Sequence, residues 1–101
     1  MPSDDDVPLI VSGPIEAPVI VLKITPEYPE IARGAHKEGH VILEAVIGTD
    51  GHVESIRVLK SDPLFDKSAI KAVSQWVYRP ARLRGLAVKV YFTVNVEFRL
   101  N

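Results

Sequence analysis

The sequence contains no cysteine, and it has no apolar segment long enough to cross a membrane. The lack of cysteine excludes disulfide bonds, thiolate metal sites and thiol nucleophiles together. A spanning helix needs roughly 20 apolar residues in succession, and the acidic opening MPSDDD is unlike a signal peptide, whose first residues are basic. We therefore expect a soluble chain, which is either complete or cut from a longer anchored protein.

An excess of charge of one sign is also absent. The 101 residues include 13 acidic and 12 basic side chains, which give a net charge of -1 and a pI near 6.3. A nucleic-acid-binding domain needs clustered lysine and arginine to neutralise phosphates, so this composition argues against one. Since 47% of the residues are apolar, length and composition together predict one compact domain with a single core.

Side chains that carry chemistry are few. The only imidazoles belong to His36, His40 and His52, and a metal or acid/base site would require them to converge. The hairpin predicted below separates them, so we interpret them as surface residues. The sequence has no glycine-rich phosphate loop, no Gly-x-Ser-x-Gly motif and no paired carboxylates in an apolar setting. We predict no catalytic residue, no metal site and no cofactor, and hence a protein that is not an enzyme.

Prolines are concentrated in the first part of the chain. Five of the eight prolines are Pro2, Pro8, Pro14, Pro18 and Pro26. Each proline fixes its own φ and biases the preceding residue toward extended geometry. We therefore predict a proline-containing extended arm or linker over residues 1–22, followed by the domain over residues 23–101. The apolar run at residues 19–22 predicts that the arm docks on the domain.

Two segments have the spacing of one-sided helices. Apolar residues at i, i+3, i+4 and i+7 predict a first helix over Pro29–Lys37. A second apolar stripe, which includes Phe65 and Trp76, predicts a helix over Leu64–Tyr78 that Pro80 ends. We expect Trp76 to anchor the core.

The remaining segments have the alternation of strands. His40–Ile47 and His52–Lys60 are rich in β-branched and apolar side chains, and the Asp50-Gly51 pair between them favours a tight hairpin turn. Val88–Leu100 alternates apolar and polar residues without a violation, which predicts a long strand with one buried face. The predicted fold class is α+β, with two helices packed on one face of a small three-stranded antiparallel sheet and a long C-terminal edge strand.

The length of the last strand suggests an unpaired edge. At about 3.3 Å per residue it would extend roughly 43 Å, whereas its hairpin neighbours would reach less than about 30 Å, so part of it should overhang. A long amphipathic edge strand pairs readily with another chain. We consider three occupants, namely a second copy, the N-terminal arm, or a foreign peptide added as a strand. Alternatively, the charges of Lys89, Glu97 and Arg99 merely protect an edge that faces solvent.

Several motifs in a fixed order resemble a known family. They are Tyr28-Pro29, Gly39-His40-Val41, Gly48-Thr49-Asp50-Gly51-His52-Val53, Trp76-Val77-Tyr78-Arg79-Pro80 and the strand ending Glu97-Phe98-Arg99-Leu100. Over about Thr25–Leu100 the chain resembles the C-terminal domain of TonB-family energy transducers. Where some family members have a glutamine before the Pro-x-Tyr-Pro element, this chain has Thr25.

The resemblance implies a periplasmic domain whose full-length protein is anchored in the inner membrane by a helix. Such a domain works with an ExbB/ExbD-like motor driven by the proton-motive force. It captures a short segment of outer-membrane transporters, the TonB box, as an added β-strand and pulls on it during uptake of substrates such as iron siderophores.

The resemblance also implies which residues bind the partner. The implied pairing strand consists of Val88, Lys89, Val90, Tyr91, Phe92, Thr93, Val94, Asn95 and Val96. The implied neighbouring segment consists of Thr25, Pro26, Glu27, Tyr28 and Pro29. Two alternatives stay open. One is a structural self-association module in which two copies pair their last strands as a homodimer. The other is a peptidoglycan-contacting domain that uses Arg79, Arg82 and Arg84.

Overall fold

The computed structural model describes residues 7–100. Its two helices are α1 (Glu30–Gly34) and α2 (Asp66–Val73). Its strands are β1 (Leu9–Ile10), β2 (Ile15–Glu16), β3 (Val19–Leu22), β4 (Gly39–Ile47), β5 (Val53–Lys60), β6 (Val77–Arg79), β7 (Ala81–Leu83), β8 (Leu86–Val88) and β9 (Val90–Phe98). No helix within these residues is both long and apolar enough to cross a membrane.

The main sheet has four strands in the order β1-β9-β4-β5. Strands β4, β5 and β9 are antiparallel neighbours, as the sequence predicts, but β1 adds to β9 in parallel. The prediction of a three-stranded antiparallel sheet is therefore wrong in strand number and in direction. Two smaller sheets, β2-β7-β8 and β3-β6, complete the fold. The additional strands are two to four residues long, too short to give a periodic signal.

The predicted long final strand is in fact two strands. Val88 ends β8 and pairs with Ala81, whereas β9 begins at Val90. Lys89 lies between them, and its Nζ contacts Glu54 Oε1 at 2.8 Å. All nine residues of β9 have partners in β4, so the predicted overhang is wrong. The alternation of apolar and polar residues runs through β8 and β9 alike, and for this reason it hides the break.

The β4–β5 hairpin is confirmed, with a turn over residues 48–52. The Gly51 N–H donates to the Gly48 carbonyl at 2.9 Å, and the Gly48 N–H donates to the His52 carbonyl at the same distance. Gly51 has φ +85°, a left-handed conformation that glycine adopts without steric cost. A Cβ on Gly51 would lie 1.8 Å from the carbonyl oxygen of Tyr78, so this position requires glycine for two reasons.

The first helix is shorter than predicted because the chain caps it early. The Lys37 N–H donates to the Ala32 carbonyl at 2.8 Å, and the His36 N–H donates to the Arg33 carbonyl at 3.1 Å. His36 has φ +54°, so these bonds form a Schellman motif with a histidine in the left-handed position that glycine usually takes. A cap without glycine gives no sequence signal.

The second helix also ends earlier than predicted, at Val73 and not near Tyr78. Val77 and Tyr78 belong to β6, which pairs with β3, and the Tyr78 N–H donates to the Gly51 carbonyl at 2.8 Å. Tertiary pairing therefore overrides the helical spacing of these residues. The prediction that Trp76 is a core residue is confirmed, since its side chain is 5% exposed.

The core lies between the helices and one face of the main sheet. Its buried residues alternate along the two central strands, as Val41, Leu43, Ala45 and Ile47 in β4 and Val90, Val94, Val96 and Phe98 in β9. Ala69 and Val73 of α2 cover them, together with Phe65, the N-cap residue of that helix. The opposite face of the sheet, which we call the open face, carries the side chains of β9 that are exposed in the described residues.

Candidate functional site: the outer edge of β9

Strand β9 presents one edge of its backbone away from β4. In a strand, the N–H and C=O groups of successive residues point to opposite sides. The Leu9 N–H donates to the Lys89 carbonyl at 2.9 Å, which fixes the odd-numbered residues as those directed away from β4. The backbone groups of Tyr91, Thr93, Asn95 and Glu97 therefore line the outer edge.

Among residues 7–22, the part of the arm that the structure describes, only a short segment covers this edge, at its beginning. Leu9 pairs with Val90 and Ile10 pairs with Tyr91, both in parallel register. From Phe92 to Phe98, no strand of the described residues 7–100 pairs with β9 on this side. The prediction of an edge strand therefore applies only from Phe92 onward, where seven residues extend over roughly 23 Å at 3.3 Å per residue.

The arm leaves the edge at a turn directly after β1. The Ile15 N–H donates to the Ser12 carbonyl at 3.2 Å, and Gly13 has φ +55°. After this turn, β2 pairs with β7 instead of β9. The turn thus ends β1 after two residues and leaves the remaining edge unpaired within the described chain.

The predicted pairing residues divide by strand and by face. Val88 lies in β8 and Lys89 between the strands, while the other seven lie in β9. Tyr91, Thr93 and Asn95 are exposed on the open face, whereas Val90, Val94 and Val96 are buried. Phe92 is half-buried and packs edge-on against Tyr78, with ring centroids 5.7 Å apart.

The second predicted segment does not lie as one unit beside β9. The Tyr28 ring packs edge-on against Phe65 and Phe98, at 5.6 and 5.8 Å, which places it at the C-terminal end of β9. The Tyr28 hydroxyl donates to the Lys37 carbonyl. Desolvation, reinforced by the charge of Glu38, raises the pKa of the Tyr28 phenol above its ordinary value.

The residues around Tyr28 face the second helix instead. Thr25, Glu27 and Pro29 line an open groove of about 590 Å³ against α2. The Ser68 hydroxyl donates to the Glu27 carbonyl across this groove. Of the predicted neighbouring segment, the structure therefore brings Tyr28 to β9 and places Thr25, Glu27 and Pro29 along α2.

Comparison with known protein families identifies the family of the chain. The family model of the Gram-negative bacterial TonB protein C-terminal matches residues 24–100. The chain belongs to this family. The resemblance seen in the sequence motifs is thereby confirmed.

Individual TonB proteins and a solved TonB structure agree with the assignment. The chain is 35% identical over 78 residues to protein tonB2 of Pseudomonas aeruginosa, covering 75% of this chain and 29% of that protein. It is 30% identical over 95 residues to protein TonB of Vibrio cholerae, covering 92% of this chain and 38% of that protein. The solution NMR structure of the Pseudomonas aeruginosa TonB CTD superposes with a TM-score of 0.69 at 27% identity, over 90% of this chain and 91% of that one.

The chain therefore spans about a third of the length of the curated TonB proteins it matches. The structural match covers nearly all of both chains, so the TonB C-terminal fold is shared.

The histidines of this TonB C-terminal domain lie apart in separate contacts. His52 Nδ1 lies 3.2 Å from Asp50 Oδ2 in the hairpin turn, and His40 Nε2 lies 3.1 Å from Lys60 Nζ on the sheet. His36 occupies the cap of α1. Within residues 7–100, no group of three or more histidine, aspartate or glutamate side chains is arranged to hold a metal ion.

The sequence reasoning missed Leu9 and Ile10 as neighbours of β9. The arm, residues 1–22, is one of the occupants considered for the edge, but the sequence singles out no residue within it for the pairing. Leu9 and Val11 point to one side of the arm and Pro8 and Ile10 to the other, and Val11 packs against the core. This short alternation is a signal only once β9 is known to be its partner.

Proposed function

We propose that this chain is the periplasmic adaptor domain of an energy transducer that binds the TonB box of outer-membrane transporters by strand addition. The observation that carries the proposal is the unpaired edge of β9 from Phe92 to Phe98 in the described chain. Family membership supports it, because the curated relatives are TonB proteins. The proposal involves no catalytic step and no cofactor.

Strand addition fits the chemistry of this edge. An extended peptide that pairs with β9 satisfies the outward N–H and C=O groups of Thr93, Asn95 and Glu97, and these bonds contribute affinity without regard to sequence. Its side chains alternate between the open face and the helix side, so every second residue of the peptide determines selectivity. In the proposed site, the peptide pairs with Val90 to Val96. Val88 and Lys89 precede this strand and extend the site at its N-terminal end.

The proposed second contact lies at the end of the strand. Tyr28 already packs on Phe98, so a peptide that extends to this end of β9 reaches the Tyr28-Pro29 corner. Thr25, Pro26 and Glu27 precede this corner. Because Thr25 and Glu27 line the groove along α2, we propose that they contact the peptide where it continues past the end of β9.

Pulling is the proposed output. In the full-length protein, an inner-membrane anchor coupled to an ExbB/ExbD-like motor would supply the force. Hydrogen bonds of a strand loaded along its length must yield together, whereas bonds peeled from one end yield singly. The added strand therefore transmits more force when it is loaded along β9 than when it is peeled from one end. Rupture forces that do not depend on pulling direction would contradict this part of the proposal.

The test is an NMR titration of the isotope-labelled chain with short synthetic peptides that copy the periplasmic ends of outer-membrane transporters. We expect amide shifts concentrated in β9 and near Tyr28. A matched peptide with proline at alternate positions should give none, because it lacks the N–H groups of the ladder.

The same titration separates the alternatives. If no peptide gives shifts and the lines are broad but sharpen on dilution, the edge pairs two copies of this chain and the proposed function is wrong. Sedimentation at several protein concentrations then gives the mass of the self-associated form.

A further inference from the structure

We propose that the first part of the arm, residues 7–12, is a removable latch that competes with the captured peptide for the edge of β9. The inference rests on the proposed function, since it describes how that same site is regulated. It starts from the parallel pairing of Leu9 with Val90 and of Ile10 with Tyr91.

The latch lies in the path of an incoming strand. Because β1 runs parallel to β9, the chain after Ile10 continues along the edge toward Thr93 before it turns. The register directs the Val11 N–H to the Tyr91 carbonyl, and the Ser12–Ile15 turn follows at once. A peptide strand that uses the whole of β9 therefore meets both the paired residues and the turn.

The latch is also weakly held. Its strand is two residues long, Ile10 is 74% exposed and Leu9 is 37% exposed. By contrast, Pro18 is buried, and β3 pairs with β6 further along the arm. The arm can therefore leave β9 while its second half stays attached to the domain.

The arm has the features of a ligand for this edge. Val11 and Ile15 pack against the core from one side, while Pro8 and Ile10 border the open face on the other. A captured peptide places its alternate side chains in the same two environments. The apparent affinity for the peptide is therefore the affinity of the open edge multiplied by the fraction of molecules in which the latch is open.

Point variants in the full chain test the latch. Leu9→Pro removes the N–H that donates to Lys89, whereas Ile10→Pro removes an N–H that points away from β9. With a transporter peptide as the probe, we expect Leu9→Pro to lower the apparent Kd roughly three- to tenfold and Ile10→Pro to leave it nearly unchanged. Equal Kd values for Leu9→Pro and the unaltered chain would overturn the latch.

A reversible cross-link tests it in the opposite direction. The chain contains no cysteine, so Ile10→Cys with Tyr91→Cys joins two registered partners alone. The oxidised form should bind the peptide more weakly than the reduced form, because the closed latch leaves only the edge from Phe92 to Phe98 for pairing. The control pair, Glu16→Cys with Arg82→Cys, fixes β2 on β7 and should bind equally in both forms. Equal peptide affinity of the oxidised and reduced Ile10→Cys/Tyr91→Cys forms, or a disulfide that does not form, would contradict the latch.

Two readouts separate failure of the latch from failure of the proposed function. If the transporter peptide binds while the Leu9 and Val11 amides keep their paired shifts, the arm is a permanent strand and the proposed function stands. If no transporter peptide binds even Leu9→Pro, a peptide that copies residues 7–12 is added in trans. Binding of that copy to Leu9→Pro but not to the oxidised cross-linked form supports the latch and contradicts the transporter proposal.

Discussion

The indole Nε1 of Trp76 donates a hydrogen bond to the carbonyl oxygen of Ile24 across 2.8 Å. This bond joins a residue three positions beyond the end of α2 to the point where the arm enters the domain. The Nζ of Lys23 lies 5.3 Å from the centroid of the same ring, a favourable cation–π distance. One side chain therefore fills the core and fixes the start of the segment that leads to Tyr28.

Replacement of Trp76 separates these two roles. Trp76→Ala should lower the free energy of unfolding by about 3–5 kcal/mol, because it leaves a cavity in the core. Trp76→Phe keeps most of the apolar volume but leaves the Ile24 carbonyl without its donor, which should cost about 1–3 kcal/mol. Urea unfolding measures both. A loss below about 1 kcal/mol for Trp76→Ala would contradict the buried position.

Two glycines with the same backbone conformation give a matched pair. Gly51 and Gly85 have φ of +85° and +84°, but a Cβ would meet the Tyr78 carbonyl at 1.8 Å only at Gly51, and nothing within 4 Å at Gly85. Gly85→Ala should cost about 1–2 kcal/mol from the left-handed backbone alone. Gly51→Ala should cost clearly more, because the hairpin turn must also move away from β6. Equal losses in thermal or urea unfolding would show that the clash relaxes freely.

Proline at two adjacent positions of β9 should affect the stability of the fold differently. The Asn95 N–H points to the outer edge, whereas the Val94 N–H points to β4 and the Val94 side chain is 6% exposed. Asn95→Pro should abolish peptide capture and keep a near-native circular dichroism spectrum, since edge strands tolerate proline. Val94→Pro should lose the cooperative unfolding transition. If Asn95→Pro unfolds the domain, that backbone group is internal and the assigned edge is wrong.

The hairpin turn should contribute stability that depends on pH. The backbone N–H of His52 donates to Asp50 Oδ1 at 3.0 Å, and this bond lowers the pKa of the Asp50 carboxyl from its ordinary value. Because the pKa is lower in the folded state, the contribution is present at neutral pH. It is lost as the pH falls through the folded-state pKa.

Asp50→Asn tests whether this contribution to stability is present at neutral pH and lost at low pH. The Tm of the unaltered chain should exceed that of Asp50→Asn near about pH 7, and the difference should shrink below about pH 3. Thermal unfolding at a series of pH values measures it. A difference that is constant with pH would mean that the aspartate acts by shape and not by charge.

The sequence was sufficient for the elements with long, regular patterns. The hairpin is confirmed, with Asp50-Gly51 in the turn between two β-branched runs. Trp76 is in the core as predicted, although it lies beyond the end of the helix whose apolar stripe suggested this position. The TonB family was also evident from motifs, since their order and spacing are properties of the chain alone.

The sequence alone thus determined the family, the central hairpin and the apolar face of β9. Only the tertiary structure decided where elements end and what the edge meets. Val77 and Tyr78 are strand residues because β3 lies beside them. Strand β9 starts at Val90 because Lys89, which lies between β8 and β9, interrupts the strand pairing. Leu9 pairs with Val90 because the fold brings together residues 81 positions apart. Such contacts leave no local pattern, since two-residue strands are stabilised by their partners and not by their own sequence.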